Sequence, residues 1–108
     1  MHLESLREYC LSKKAVEETM PFGPDTLVFK VMGKMFLLTG LEGDLSFNVK
    51  CDPEKVIELR EELPCVQPGY HMNKKHWNTI LVDGSVSDSQ LEEWIDHSYD
   101  LVVSGLKR

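Results

Sequence analysis

The sequence predicts an α+β domain in which an antiparallel sheet packs against helices. Two observations indicate this class: β-strand patterns occupy segments between residues 27 and 51 and between residues 66 and 82, and segments with a helical apolar period stand before, between and after them. The chain has 108 residues, of which 42% are apolar and 28% are charged, as in an ordinary globular protein. We therefore expect residues 1–108 to form a single domain.

A short amphipathic helix is predicted at the start of the chain. Apolar residues recur at helical spacing over residues 2–12, with charged residues on the other side. Residues 15–20 show no clear period and are left unassigned. Prolines and a glycine between residues 21 and 24 exclude a regular element there and predict a rigid entry to the sheet.

Three strands are predicted next, and the third has the clearest alternation. A β-branched and aromatic run predicts a strand over residues 27–32, Gly33-Lys34 predicts a two-residue type II′ turn, and a second strand spans residues 35–39. In the third strand, over residues 45–51, every second residue is apolar or cysteine. This alternation indicates a sheet with one buried face and one face exposed to water.

Clear capping signals mark the helices in the second half of the chain. Asp52 is a good N-cap and Pro53 suits the first helical position, so a second helix is expected from there to the break at Pro64. Ser87 and Gln90 have the spacing of a capping box before a third helix. The remaining elements are a strand over residues 66–70, a tight turn over residues 73–76, a strand over residues 77–82, and this third helix, which runs to about Leu106.

Charge and cysteine content restrict the class of protein. The net charge is −6, yet the two segments that contain the predicted strands, residues 27–51 and 70–82, are net positive, whereas the helical segments are net negative. Helices on one face of a sheet would therefore separate the charges onto opposite sides. Three widely spaced cysteines without a CxxC pair fit reduced thiols in the cytoplasm. No signal peptide or membrane span is expected.

The stretch from Pro68 to Ile80, PGYHMNKKHWNTI, is the most distinctive in the chain. It resembles the signature of the MmcQ/YjbR family. The other similar pieces are Pro21-Phe22-Gly23, Val28-Phe29-Lys30-Val31, Gly33-Lys34-Met35-Phe36, Lys50-Cys51-Asp52-Pro53, His97-Ser98-Tyr99 and Leu101-Val102-Val103. The resemblance implies a two-layer domain, similar to secretion chaperones, with helices on one face of an antiparallel sheet and the order α-β-β-β-α-β-β-α. It also implies DNA binding by two β-hairpin wings, over residues 27–39 and 66–82.

A nucleic-acid interface is the most specific functional hypothesis that the residues support. Lysines are expected on the open sheet face, at the hairpin tip and in the turn before the fifth strand, where their ammonium groups would meet phosphates. Rings near that turn would stack or enter a groove, and amides would reach base edges. The candidate residues are Lys30, Lys34, Lys50, His71, Asn73, Lys74, Lys75, His76, Trp77 and Asn78. Double-stranded DNA is the expected partner.

The same stretch has a structural interpretation, and a second class of function stays open. Trp77 can serve as a core aromatic residue, Asn73 can cap the turn, and lysines can keep strand edges soluble. A half-open sheet with Val28, Met32 and Met35 near its exposed side would also suit a protein partner, a chaperone-like adaptor role or a homodimer. Nucleic-acid binding requires the lysines to be exposed together, whereas partner binding requires an exposed apolar patch.

Metal binding and catalysis have weaker support in the sequence. His71 and His76 have a spacing seen in zinc motifs, but no CxxC pair accompanies them. Cys65 and His76 are candidates for nucleophile and base by residue type alone, and no GxSxG, P-loop or GxGxxG string occurs. We therefore expect a non-enzymatic protein that needs no metal or cofactor.

Overall fold

The computed structural model of the protein describes residues 1–69 and 72–105, and it confirms the α+β class with an antiparallel sheet. Within these residues no helix is long and apolar enough to cross a membrane. The elements in chain order are α1 (Leu3–Leu11), β1 (Val16–Thr19), β2 (Thr26–Val31), β3 (Lys34–Gly40), β4 (Ser46–Lys50), α2 (Pro53–Glu62), β5 (Val66–Pro68), β6 (Trp77–Leu81) and α3 (Asp88–Gly105). The predicted order is therefore correct apart from one additional strand, β1.

The helices pack against one face of the sheet, which we name the helix face; the opposite side is the outer face. The strand order in the described sheet is β1-β2-β3-β4-β6-β5, and every pair is antiparallel. Phe29, Phe47 and Ile80 point from the strands into the main core, where they join Leu91 and Ile95 of α3. For Phe47, the alternation in β4 predicted this inward position.

Strand β1 lies in the segment that had no clear sequence period. It contains one apolar residue, Val16, and pairs antiparallel with β2 at the edge of the sheet. The half-buried Glu18 accepts two hydrogen bonds from Arg7 of α1, at 2.7 and 2.9 Å, and this contact lowers the pKa of the Glu18 carboxyl. A short, charged strand is typical of a protected sheet edge, but it lacks the apolar alternation by which strands are recognised.

The first hairpin turn lies one residue earlier than predicted. Val31 pairs with Lys34, so the loop residues are Met32 and Gly33, with φ angles of 52° and 82°. Positive φ at both loop residues is the type I′ geometry, not the predicted type II′. A β-bulge follows in β3. Phe29 pairs with Leu37 whereas Lys30 pairs with Met35, so β3 has one extra residue at this point and the side chains beyond it keep their faces of the sheet.

The outer face is less exposed to water than the alternation predicted. Val28, Leu38 and Trp77 are buried there in a second, smaller apolar cluster, with Met35 and Met72 packed against it. The segment before β6, which contains Met72, therefore covers part of this face. The expected wet face is partly covered because side chains from a connecting segment can cover a sheet as well as helices can.

Ser98 joins α3 to the middle of the sheet where β3 and β4 separate. Its hydroxyl is fully buried, donates to the carbonyl of Phe36 and accepts a bond of 2.9 Å from the backbone N–H of Lys50. The last paired residues of these two strands are Leu37 and Val49. The hydroxyl thus replaces the next ladder contact, and the two backbone groups stay satisfied although the strands diverge.

The backbone N–H groups of the next two residues, Cys51 and Asp52, also find acceptors outside the β3–β4 ladder. The N–H of Cys51 donates to the carbonyl of His76 at 2.8 Å, and the N–H of Asp52 donates to Nε2 of His97 at 3.2 Å. The Asp52 side chain then accepts from the N–H of Glu54 and caps α2, as predicted. Three distant segments of the chain therefore meet at the end of β4.

We expect Ser98→Ala to lower the free energy of unfolding by about 1–3 kcal/mol, because it leaves a buried carbonyl and a buried N–H without their partner. The control is Ser104→Ala, which removes an exposed hydroxyl from the same helix and should change stability by less than about 0.5 kcal/mol. Urea denaturation of the three proteins measures both values. Equal stability of the two variants would contradict the role given to Ser98.

Candidate nucleic-acid interface

The register of the strands brings the candidate lysines to one end of the sheet. Lys30 lies near the end of β2, and Lys34 begins β3 directly after the turn. Lys50 ends β4 and pairs with Trp77, the first residue of β6. Lys74 and Lys75 lie in the segment just before Trp77. The first hairpin turn, the end of β4 and the connection between β5 and β6 are therefore at the same end of the sheet, which we name the lysine end.

The ammonium groups at the lysine end have no carboxylate partner among the described residues. The ion pairs among the described residues involve other cations. They join the N-terminus to Asp88, Arg7 to Glu4 and Glu18, and Lys13 to Asp96. Lys34, Lys74 and Lys75 are exposed, and Lys30 and Lys50 are half-buried. Glu17 is the cross-strand neighbour of Lys30, so the positive potential is weaker there than around the other lysines.

Acidic residues concentrate on the helices. The carboxylates of α2 and α3 belong to Glu54, Glu58, Glu61, Glu62, Asp88, Glu92, Glu93, Asp96 and Asp100. Both helices cover the helix face, and among the described strand residues Glu17 is the only acidic one on the outer face. Acidic helices therefore cover one face of the sheet, which is the arrangement that the sequence predicted would separate the charges.

Asn73 shapes the turn that presents Lys74 and Lys75. Its side-chain Oδ1 accepts from the N–H of Lys75 at 2.9 Å, and its carbonyl accepts from the N–H groups of His76 and Trp77. An asparagine that bonds its own turn in this way is an Asx-type cap. The turn-capping interpretation of Asn73 therefore has direct geometric support, although the side chain is also exposed to solvent.

Arg60 of α2 fixes the same segment from the helix face. Its Nε donates to Oδ1 of Asn78 at 2.8 Å, and its Nη2 donates to the carbonyls of Trp77, at 3.0 Å, and Lys74. A guanidinium presents several donors in a rigid plane, so one side chain holds three acceptors at once. No sequence pattern singled out Arg60, although it lies four residues after the buried Val56, in the inward stripe of α2.

The aromatic and amide candidates divide into accessible and inaccessible groups. Trp77 is buried in the smaller apolar cluster on the outer face, which we name the outer cluster, as the core-aromatic interpretation expected. The buried Asn78 points to the helix face, where Arg60 holds it. Neither side chain is placed to reach a base edge, so we leave both out of the interface. His76 is half-buried, and the predicted His71 lies outside the described residues.

Gly69 is required where β5 passes the start of β6. A Cβ at this position would lie 3.0 Å from the Cβ and the carbonyl oxygen of Trp77, and 3.1 Å from the Cβ of Met72. The N–H of Gly69 also donates to the Trp77 carbonyl at 3.2 Å. Close approach of two backbones explains the glycine, and it brings Met72 over the outer cluster.

The thiols are placed as core residues. Cys10, Cys51 and Cys65 are all buried, and burial raises the pKa of the Cys10 thiol to about 12 and also raises that of Cys51. A protonated thiol is a poor nucleophile and a poor metal ligand. In the described part of the chain, no group of three histidine, cysteine or acidic side chains is placed to hold a metal ion.

Comparisons with known proteins find a family and several relatives for this chain. Residues 11–101 match the YjbR family. The chain is 40% identical over 106 residues to YbdF of Escherichia coli O157:H7, covering 97% of this chain and 87% of that protein. It is 31% identical over 105 residues to YjbR of Escherichia coli K12, covering 96% and 89%. A crystal structure of Deinococcus radiodurans DR2400 superposes with a TM-score of 0.86 at 44% identity, covering 92% and 76%. A Pseudomonas syringae protein superposes with a TM-score of 0.81 at 28% identity, covering 94% and 98%.

We expect Arg60→Met to loosen the segment before β6 while α2 stays folded. The aliphatic stem is retained, but the three acceptors lose a charged donor, so stability should fall by about 1.5–3 kcal/mol. Hydrogen exchange should become faster at the N–H groups of Gly69, His76 and Trp77. Lys55→Met, at an exposed position of the same helix, is the matched control and should leave exchange there unchanged. Unchanged hydrogen exchange at these N–H groups in Arg60→Met would refute the role of Arg60 in holding the segment.

Proposed function

The chain belongs to the YjbR family, and we propose that it is a non-enzymatic protein that binds double-stranded DNA through the lysine end of its sheet. The observation that carries the proposal is the meeting of five lysines from three strands and one connection, none of them paired with a carboxylate among the described residues. Unpaired ammonium groups are the groups that displace counterions from phosphates. Most of the carboxylates belong to α2 and α3, which pack on the helix face, so the attraction is strongest on the outer side of the lysine end.

The two hairpins place lysines on both sides of the end of β4. The β2–β3 turn and the β5–β6 connection lie on either side of the end of β4, so Lys34 stands on one hairpin, Lys74 and Lys75 stand on the other, and Lys50 lies between them. Arg60 and Asn73 make the second hairpin connection rigid, which reduces the ordering cost of binding. The hairpins act as two wings that contact phosphates on both sides of the central strand.

The chemistry of these side chains favours contact with the backbone over reading of sequence. Phosphate contacts position a protein on DNA, whereas base edges carry the sequence information. Arg60, the one arginine close to this surface among the described residues, is occupied by protein acceptors, and Asn78 is buried. We therefore propose weak binding that depends little on sequence and strongly on salt.

We expect fluorescence anisotropy with duplex DNA to show a slope of about −4.5 in log K against log salt, from five lysine contacts. The double variant Lys74→Ala/Lys75→Ala should bind more weakly and show a slope of about −2.7, because three contacts remain. The control is Ser89→Glu/Ser104→Glu, which changes the net charge equally at exposed positions on α3. It should retain most of the affinity and the wild-type slope.

Two results would refute the proposal. The first is the absence of duplex binding by the wild-type protein at low salt. The second is an equal loss of affinity in both double variants, which would mean that overall charge, and not the position of Lys74 and Lys75, determines the attraction. Circular dichroism of each variant confirms that the comparison is made between folded proteins.

A further inference from the structure

The outer face has a groove that runs from the middle of the sheet to the end opposite the lysine end, where Thr26, Gly40 and Ser46 line it. Its volume is about 660 Å³, within the usual range for small-molecule sites. Phe22, in the segment before β2, stands on one side, and Pro68 and Met72 stand on the other. The side chain of Phe22 is 63% exposed, an unusual position for a ring that could otherwise be buried. The groove therefore has apolar walls and an accessible aromatic ring.

The floor of the groove is uncharged and, apart from Leu38, polar. Leu38, Asn48 and Thr79 occupy one cross-strand row on β3, β4 and β6, and Gln67 continues it on β5. Oδ1 of Asn48 accepts from the Thr79 hydroxyl, which leaves its Nδ2 as a donor without a partner among the described residues. The exposed amide of Gln67 offers both a donor and an acceptor. None of the described residues that line the groove carries a charge.

Among the described residues, cationic groups lie one step along the strands beyond the border of the groove that faces the lysine end. On β4, Lys50 lies two residues after Asn48, and on β2, Lys30 lies two residues after Val28, the cross-strand partner of Leu38. A step of two residues along a strand keeps the same face and moves about 7 Å. An anionic group placed at this border would thus be attached to a neutral moiety inside the groove.

We propose that the groove binds an unpaired nucleobase whose phosphate lies against Lys50. A nucleobase is planar, uncharged and rich in donors and acceptors, so it matches an aromatic wall, apolar sides and two amides. The ligand is either a free nucleotide or one base of a single strand, which share this chemistry. The inference depends on the proposed function only in its use of Lys50 as a phosphate contact.

The direct test is an NMR titration of the protein with four probes of graded composition. These are a nucleoside, the corresponding 5′-mononucleotide, inorganic phosphate and a short single-stranded oligonucleotide. We expect the mononucleotide to shift the side-chain amide signals of Asn48 and Gln67 and the signals of Phe22, and phosphate alone to leave them unchanged. Tighter binding of the oligonucleotide than of the mononucleotide identifies a single strand as the source, whereas equal affinity identifies the free nucleotide.

Variants then separate stacking from charge. Phe22→Ala should weaken mononucleotide binding about fivefold or more, because stacking of one base on an aromatic ring contributes about 1–3 kcal/mol. Phe22→Trp should restore it, and Ile57→Ala, which removes an exposed apolar side chain from α2, should have no effect. Lys50→Ala should weaken binding of the mononucleotide but not of the nucleoside.

Each outcome decides for or against the groove independently of duplex binding. The inference is overturned if no probe shifts the groove signals, or if Phe22→Ala and Ile57→Ala bind the mononucleotide equally well. Either result leaves the proposed duplex interface intact if Lys74→Ala/Lys75→Ala still loses affinity for duplex DNA. Conversely, groove shifts without a loss in that double variant would support the base site and refute the duplex proposal.

Discussion

The hydrogen bonds at the end of β4 determine how the rest of the molecule is arranged. There the strands separate, and each buried N–H must find an acceptor outside the ladder or lose about 1–3 kcal/mol. Ser98 and His97 of α3 supply two acceptors, for Lys50 and Asp52, and the His76 carbonyl supplies the third, for Cys51. Because two of the three come from α3, this helix must lie against the helix face at that point. The acidic helix surface then lies on the helix face, opposite the outer face.

Three of the segments on which the sequence resemblance was based meet at this point. The stretch around Lys50, the His97-Ser98 pair and the stretch that ends at Trp77 are far apart in sequence but exchange hydrogen bonds directly. Their distinctive residues are thus explained first by the need to satisfy backbone groups. The charge on Lys50, Lys74 and Lys75 is not explained in this way, because no carboxylate among the described residues pairs with them. That difference separates residues that build the fold from residues available to a ligand.

Periodicity and capping chemistry were sufficient to predict most of the fold. Burial on one face imposes a period of two on strands such as β4, and the Asp52-Pro53 pair is typical of the start of a helix. They failed where the deciding force was not local. Strand β1 exists through pairing with β2 and through the Arg7–Glu18 contact, neither of which leaves a periodic signal. The burial of Val28 depends on a segment distant in sequence. For the site, residue type identified the lysines, but only the structure showed that Arg60 holds their segment and that Asn78 faces the core.

We propose that this acidic protein has a positive lysine end and negative helices. NMR relaxation with a pair of paramagnetic cosolutes that differ only in the sign of their charge tests this separation. We expect the anionic probe to enhance relaxation more than the cationic probe at the amides of Lys34, Lys50 and Lys75, and less at those of Glu58 and Glu93 on the helices. The same preference at both sets of amides would contradict it.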